Sequence, residues 1–223
     1  MLTPSASLKE FLGQASEAYY QQIAHAPDVQ GYLTNDRALS KDSCRLFRLG
    51  VVDDPLPGHE TYRGRLSIPY LTRAGVVSIR FRCIPTRKHV GVSCKDAPGC
   101  TKYLGLPGDS LQAYNVNALH NPSEFIGIAE GEIDAITATQ AGVPTVGLPG
   151  VSSLREYTPR MFVGYKVVYI FADNDDKGQG AGFAEKVADL IPNSRVILMP
   201  NGDDVNSFVA ANGADAFRDL IGV

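Results

Sequence analysis

The chain has 223 residues, 44% hydrophobic and 20% charged, which supplies one good core or two small ones and excludes disordered, collagen-like and disulfide-scaffold classes. Its formal net charge of −3 hides a split: residues 1–120 carry 14 Lys+Arg against 10 Asp+Glu, residues 121–223 carry 7 against 14. No apolar run nears the ~20 residues of a membrane-spanning helix. The opening MLTPSASLKEFLGQ lacks the basic-then-apolar order of a secretory leader, so a cytoplasmic setting is expected.

Leu8, Phe11, Leu12, Ala15, Tyr19 and Ile23 recur at helical spacing and predict a helix over 6–24, capped by Ser5 or Ser7. Shorter helices are expected around 27–33, opened by Pro27, and around 40–47, opened by Ser40 with Ser43. Proline, glycine and aspartate make 50–60 a loop. From 62 the runs RLSIPYL and VVSIRFRCI flank a turn at Ala74-Gly75, the pattern of a hairpin. Arg80 and Arg82 share one of its faces, because side chains repeat every two residues along a strand. A loop over 85–101 precedes KYLGLPGD. Segment 63–102 holds nine basic residues against one acid, Asp96. A basic half beside an acidic half suits a polyanion on one and cations on the other, or simply a solvated charged face.

The second half alternates strand and helix. FIGIA (125–129), VPTVGL (143–148), KVVYIFA (166–172) and SRVILM (194–199) read as buried strands. Helices are expected at IDAITATQA, near 152–162, at 181–191, and as a short pair over 204–211 and 214–221. Brief connections between such elements mean a parallel sheet covered on both faces. The fold class is therefore α/β, with a parallel-sheet domain over 122–223 preceded by a smaller basic α+β subdomain over 1–121.

Ligands of open parallel sheets gather at the carboxyl ends of the strands. Glu130 directly follows FIGIA, and Asp173 and Asp175 follow KVVYIFA. Alternate residues of extended chain point to the same side, and neighbouring strands lie ~4.8 Å apart, so the three carboxylates can converge. A hard divalent cation is the simplest compensation for their repulsion. DNDDKG starts like an EF-hand loop, but Lys177 and Ala184 stand where ligands are needed and a strand precedes it. A phosphatase-type Asp-x-Asp leaves Glu130 without a purpose. GQGAG breaks dinucleotide spacing, and no G-x-x-x-x-G-K-[ST] is present. Acids serving only as helix caps and solvated loop ends are the plain alternative.

These residues resemble the TOPRIM domain in the polymerase core of DnaG-type bacterial and phage primases. AEGEIDAI is similar to its Glu-Gly-x-x-Asp motif, with Glu130, Gly131 and Asp134, and FADNDDKG to its Asp-x-Asp-then-Gly motif. GDDVN (202–206) resembles the later Gly-x-Asp-x-Asp element, keeping Asp204 but with Asn206 for the second acid. In the basic half, YLTNDRALS aligns Arg37, YRGRLSIPYLTRAGVVSIRFR aligns Arg63, Arg65 and Arg82, and TKYLGLP aligns Lys102 and Tyr103. Gly105 replaces the family's asparagine, and Tyr114 stands near the place of a second lysine.

The resemblance implies a minimal phage-like primase core, a DNA-directed RNA polymerase that makes short RNA primers from ribonucleoside triphosphates on single-stranded DNA during replication. Glu130, Asp173 and Asp175 would hold Mg²⁺ or Mn²⁺, with Asp204 as an outer or second-metal ligand. Arg37, Arg82 and Lys102 would receive template and nucleotide phosphates, with Arg63 and Arg65 as second choices, since alternation can turn one of them into an ion pair. Tyr103 would stack on a base or belong to the core, and Asp134 would orient a metal-bound water or sit on a helix face. Implied partners are a separately encoded helicase or zinc-ribbon protein, and a phage-encoded chain would work in the bacterial cytoplasm. The alternatives are a metal-dependent TOPRIM nuclease and a non-catalytic single-strand-binding replisome module. Cys83, His89, Cys94 and Cys100 match no trusted zinc spacing, so zinc is not expected and reduced thiols are.

Overall fold

The expected first helix forms as α1 (Ala6–Gln22) in a computed structural model of the chain, whose described residues are 4–88, 97–174 and 179–223. Ser5 is its N-cap, accepting from the Leu8 amide at 3.3 Å and satisfying one orphan donor of the first turn. Pro27 opens α2 (Pro27–Gly31), which runs into one π-type turn over Tyr32–Asp36. Ser40 caps α3 (Lys41–Leu46) through the Ser43 amide at 3.0 Å. The stretch expected as loop over 50–60 contains a two-residue strand, β1 (Gly50–Val51), too short to leave a periodic signal. β2 (Leu66–Thr72) and β3 (Gly75–Arg82) form the expected hairpin. A short helix, α4 (Pro85–Lys88), follows within the expected loop, and β4 (Tyr103–Leu104) pairs with β3. Among the described residues these strands make an antiparallel sheet in the order β1-β2-β3-β4.

Contacts divide the chain into two units, Met1–Asp36 with Ser40–Asp109, and Arg37–Leu39 with Ser110–Val223. In the first, Leu12, Ala15 and Tyr19 of α1 pack on Val52, Tyr62, Val76, Ile79 and Phe81. The register shifts between the pairs Tyr70↔Ser78 and Leu71↔Val76, a bulge at Val77 that resets the alternation and lets Val76 join Ile79 in the core. Leu66↔Arg82 and Ile68↔Arg80 confirm that the two arginines share the opposite face.

The second unit begins with a bridge: Tyr114 pairs with Gly147 through two backbone hydrogen bonds of 2.7 and 3.0 Å. β5 (Phe125–Ala129), α5 (Glu132–Gln140), β6 (Thr145–Gly147), β7 (Val167–Ala172), α6 (Gln179–Leu190) and β8 (Ser194–Leu198) follow. Two 3-10 turns, 151–153 and 158–162, replace the helix expected near 152–162. All strand pairs are parallel, in the order β6-β5-β7-β8. Ile126, Ile128, Val168 and Ile170 bury one face under Phe183, Ala184 and Val187 of α6. The other face carries Phe171, whose ring meets Phe217 of α7 (Val205–Ile221) at 5.1 Å. α7 is broken at Gly213, which accounts for the expected pair of helices. Among the described residues no helix is long and apolar enough to cross a membrane.

Two features generate tests. His59 is 4% exposed, ringed by Phe11, Tyr62 and Phe81, and its Nδ1 lies 2.8 Å from the Tyr19 hydroxyl. That hydroxyl accepts from the Leu56 amide at 3.1 Å, so its proton points to His59, which takes the neutral form. Burial holds the imidazole pKa below its usual 6.5, against a smaller opposing pull from Glu60. Below about pH 6.5 the unfolded chain therefore binds a proton that the folded chain resists. Thermal unfolding between pH 7.5 and 5 should lose stability as pH falls, and His59→Phe should flatten that dependence.

Gly180, in the first turn of α6, lies so close that a Cβ there would overlap the Asp173 backbone, whereas a Cβ at Gly182 would meet open space. Backbone cannot rotate out of the way. Gly180→Ala should destabilise by ~1–3 kcal/mol, and Gly182→Ala should stabilise by ~0.5–1 kcal/mol through helix propensity. Urea unfolding of the two variants checks the contrast.

Candidate functional site

A parallel sheet opens a crevice where consecutive crossovers leave toward opposite faces. Here that point lies between β5 and β7. α5 carries the chain from β5 outward to β6, while α6 carries it from β7 to β8 over the other face. Glu130 is the first residue past β5 and Asp173 the first past β7, and both are half-buried. Adjacent pairing, Ile128↔Ile170, delivers both to one rim. Asp175 lies outside the described residues.

The neighbouring loop is tied to the same rim. The Asn174 amide donates to the Asp203 carbonyl at 3.1 Å, which brings residues 203–204 beside the end of β7. Asp204 is the N-cap of α7: its Oδ1 accepts from the Ser207 amide at 2.7 Å, and the Ser207 hydroxyl accepts from the Asp204 amide at 3.0 Å. One oxygen of Asp204 is thus engaged by the helix it opens. Asp134 is buried and accepts from the Asn206 amide at 3.0 Å, so this carboxylate holds the first turn of α7. The other oxygen of this carboxylate fills the space beside Gly131, where a Cβ would stand 2.5 Å from Asp134 Oδ2.

Among the described residues no three His, Cys, Asp or Glu side chains cluster closely enough to hold a metal ion. Glu130 and Asp173 nonetheless offer carboxylate oxygens at a half-buried rim, a donor chemistry that suits a hard cation rather than zinc. Cys83 is buried at the end of β3 and Cys100 is half-buried, while His89 and Cys94 lie outside the described residues.

The cations of the first unit gather around an aromatic ring. Arg82 is 6% exposed; its Nε donates to the Tyr32 hydroxyl at 3.0 Å and its Nη1 to the Tyr103 hydroxyl. The Arg80 guanidinium stands 4.5 Å from the Tyr103 ring centre, that of Arg82 5.1 Å, and Lys102 Nζ 5.9 Å. Burial opposes the charge of Arg82 and the Tyr103 and Tyr32 oxygens favour it, with a net upward shift. Lys102 is exposed and Tyr103 half-buried. Arg63 is exposed and donates to the Asp53 carbonyl. Arg65 is buried and donates to the Thr101 carbonyl at 2.8 Å. Arg37 belongs to the second unit and donates to Asn206 Oδ1 at 3.4 Å.

Two members of this constellation were not singled out from sequence as site residues. Arg80 carried a signal in its alternation with Arg82. Tyr32 sits in YLTNDRALS, but a tyrosine in an amphipathic stretch reads as core until its hydroxyl is located.

Residues 125–215 match the Toprim domain family. The Gene 57 protein of Mycobacterium phage D29 is 41% identical over 165 residues, 72% of this chain and 99% of that protein. The DNA primase of Pseudomonas aeruginosa is 24% identical over 168 residues, and the chain spans only 24% of that relative's length. A solved RNA polymerase domain of Mycobacterium tuberculosis primase DnaG, in complex with a double-stranded DNA oligomer with a 6-nucleotide overhang, is similar with a TM-score of 0.75. That similarity runs over 99% of this chain and 81% of the other at 19% identity. The chain thus belongs to one family with the phage D29 Gene 57 protein and carries a Toprim domain within the fold of the DnaG-type primase polymerase core.

Proposed function

We propose that the chain is a DNA primase core that synthesises short RNA primers on single-stranded DNA by metal-dependent nucleotidyl transfer. The observation that carries this reading is the pair of carboxylates, Glu130 and Asp173, at the carboxyl ends of the two strands flanking the switch point of a primase-type fold. The similarity to DNA primases supports a primase-like role, and the DNA held by the mycobacterial neighbour supports nucleic acid as the ligand.

In this reading Glu130 and Asp173 hold Mg²⁺ or Mn²⁺, with Asp175 as the third carboxylate and Asp204 as an outer ligand kept in place by α7. A divalent ion bound there would activate the attacking 3′-hydroxyl and neutralise the leaving pyrophosphate. Arg37 in the second unit, and Lys102 and the exposed Arg63 in the first, would each contact phosphates. Arg82 is too buried for broad phosphate contact and acts by fixing Tyr103, which presents the flat surface on which a base stacks. Arg65, tied to the Thr101 carbonyl, supports the hairpin that carries these groups. A helicase or zinc-ribbon protein supplied by the same replication system would complete the assembly.

Incubation with labelled single-stranded DNA and ribonucleoside triphosphates is the direct test. New short RNA is the expected product; shortened DNA would make the chain a nuclease, and binding with neither product a non-catalytic module. Glu130→Gln or Asp173→Ala should lower primer yield by roughly 10²–10³-fold or more while single-strand affinity stays near wild type. Millimolar Mg²⁺ should raise the melting temperature of the wild-type chain and not of Asp173→Ala, because an ion that binds only the native state stabilises it. Lys102→Ala should weaken binding at all template sequences and reduce the slope of log affinity against log salt by about one.

A further inference from the structure

We infer that Asn206 is a positioning residue that latches Arg37 onto the α5–α7 layer through its amide, and that an acid at this position would break the latch. The inference rests on the reading of Arg37 as a phosphate contact, and its test separates the two.

Asn206 stands where the related element has its second acid, yet it is 2% exposed and turned into the protein. Its Nδ2 donates to the Arg37 carbonyl at 2.8 Å and to Thr137 Oγ1 at 2.9 Å, while its Oδ1 accepts from Arg37 Nη1 at 3.4 Å. Its backbone amide is held by Asp134 at 3.0 Å. The chemistry of the partners decides the side chain. The Thr137 hydroxyl already donates its proton to the Ile133 carbonyl at 2.9 Å, so toward residue 206 it can only accept. The Arg37 carbonyl can only accept as well. Two acceptors and one guanidinium require two N–H donors and one oxygen on a short side chain, which among the natural residues is asparagine. An aspartate would set its oxygens against two acceptors, in a buried site beside the Asp134 carboxylate.

The segment so held is strained. Ala38 takes a left-handed φ of 50°, a conformation that side-chain-bearing residues rarely adopt and that persists only when the surroundings over-determine it. Gln140 Nε2 donates to the Ala38 carbonyl at 2.9 Å, so two successive carbonyls, of Arg37 and Ala38, are each capped by a side-chain amide from unit two. Leu39, buried to 1% exposure, completes the anchor. Remove the Asn206 amide and Arg37 loses its backbone tie and one contact of its guanidinium.

Amide hydrogen exchange reads the latch without activity. In Asn206→Ala and in Asn206→Asp the 37–40 amides should exchange about tenfold faster, with β5 and β7 as protected as in wild type. Exchange at the wild-type rate in either variant would overturn the inference. Affinity for labelled single-stranded DNA reads the positioning. Arg37→Ala and Asn206→Ala should each weaken binding by roughly the same factor, and the double variant no further, as expected for residues acting as one unit. Additive losses, or an Asn206→Ala chain that binds as wild type while Arg37→Ala is weakened, would also overturn it. Wild-type binding by Arg37→Ala would instead remove Arg37 from the DNA reading and leave the exchange result to decide the latch. Asn206→Ser, which keeps one donor, gives the same comparisons should the alanine variant not fold.

Discussion

Parallel pairing of β5 with β7 is the constraint on which the second unit depends. Its ladder of backbone hydrogen bonds fixes Ile128 opposite Ile170, and every later feature is measured from that register. Because the two crossovers leave toward opposite faces, the strand ends open a crevice, and Glu130 and Asp173 stand half-buried at its rim. Helix packing then locks the rim from both sides. α5 begins within one turn of Glu130 and is fitted by Gly131, and α6 is fitted against Asp173 by Gly180. The Asp173 backbone is therefore held by close packing against the start of α6, whereas Gly131 makes room for the Asp134 carboxylate.

The first unit solves the opposite problem, that of collecting positive charge. A guanidinium as buried as Arg82 is costly unless its donors find partners, and here two tyrosine hydroxyls, themselves uncharged, take two of its five N–H groups. Tyr103 serves twice, accepting from Arg82 through its oxygen while its ring stands near three cations. Each such contact is worth about 0.5–2 kcal/mol, enough to offset part of the mutual repulsion of the cations. By contrast, Arg87 joins Asp28 at 2.6 Å and also meets Asp53, so that arginine is neutralised and belongs to the scaffold.

Much of this was legible in the chain itself because it follows from period and punctuation. The strands FIGIA and KVVYIFA, the positions of Glu130 and Asp173 directly after them, and the shared face of Arg80 and Arg82 all depend on local patterning, and the structure shows each of these placements. What escaped depended on long-range contact. β1 exists only because β2 pairs with it, and two residues carry no periodicity. A helix is expected near 152–162, but Pro159 and the bond from the Arg155 amide to the Thr158 hydroxyl favour two tight turns. Asp134 reads from sequence as an aid to the metal site or a helix-face acid, and Asn206 as a replacement for the family's second acid. Only their buried hydrogen bonds separate them from Glu130 and Asp173, and no spacing rule encodes which way a helical side chain turns.

The second unit is discontinuous in the chain, and this has a consequence for how it is made. Arg37–Leu39 leaves the ribosome early, but its partners lie 102 residues further on at Gln140 and 169 further on at Asn206. At about 5–20 residues per second, translation leaves this segment waiting on the order of ten seconds for Asn206. For that interval the amino-terminal unit can already be consolidating around α1 and its hairpin, with a strained tripeptide left unclaimed in its midst. Synthesis thus imposes a sequence of events: the basic half matures first, and the acidic half is finished only when its last helix arrives to collect a piece of chain made long before.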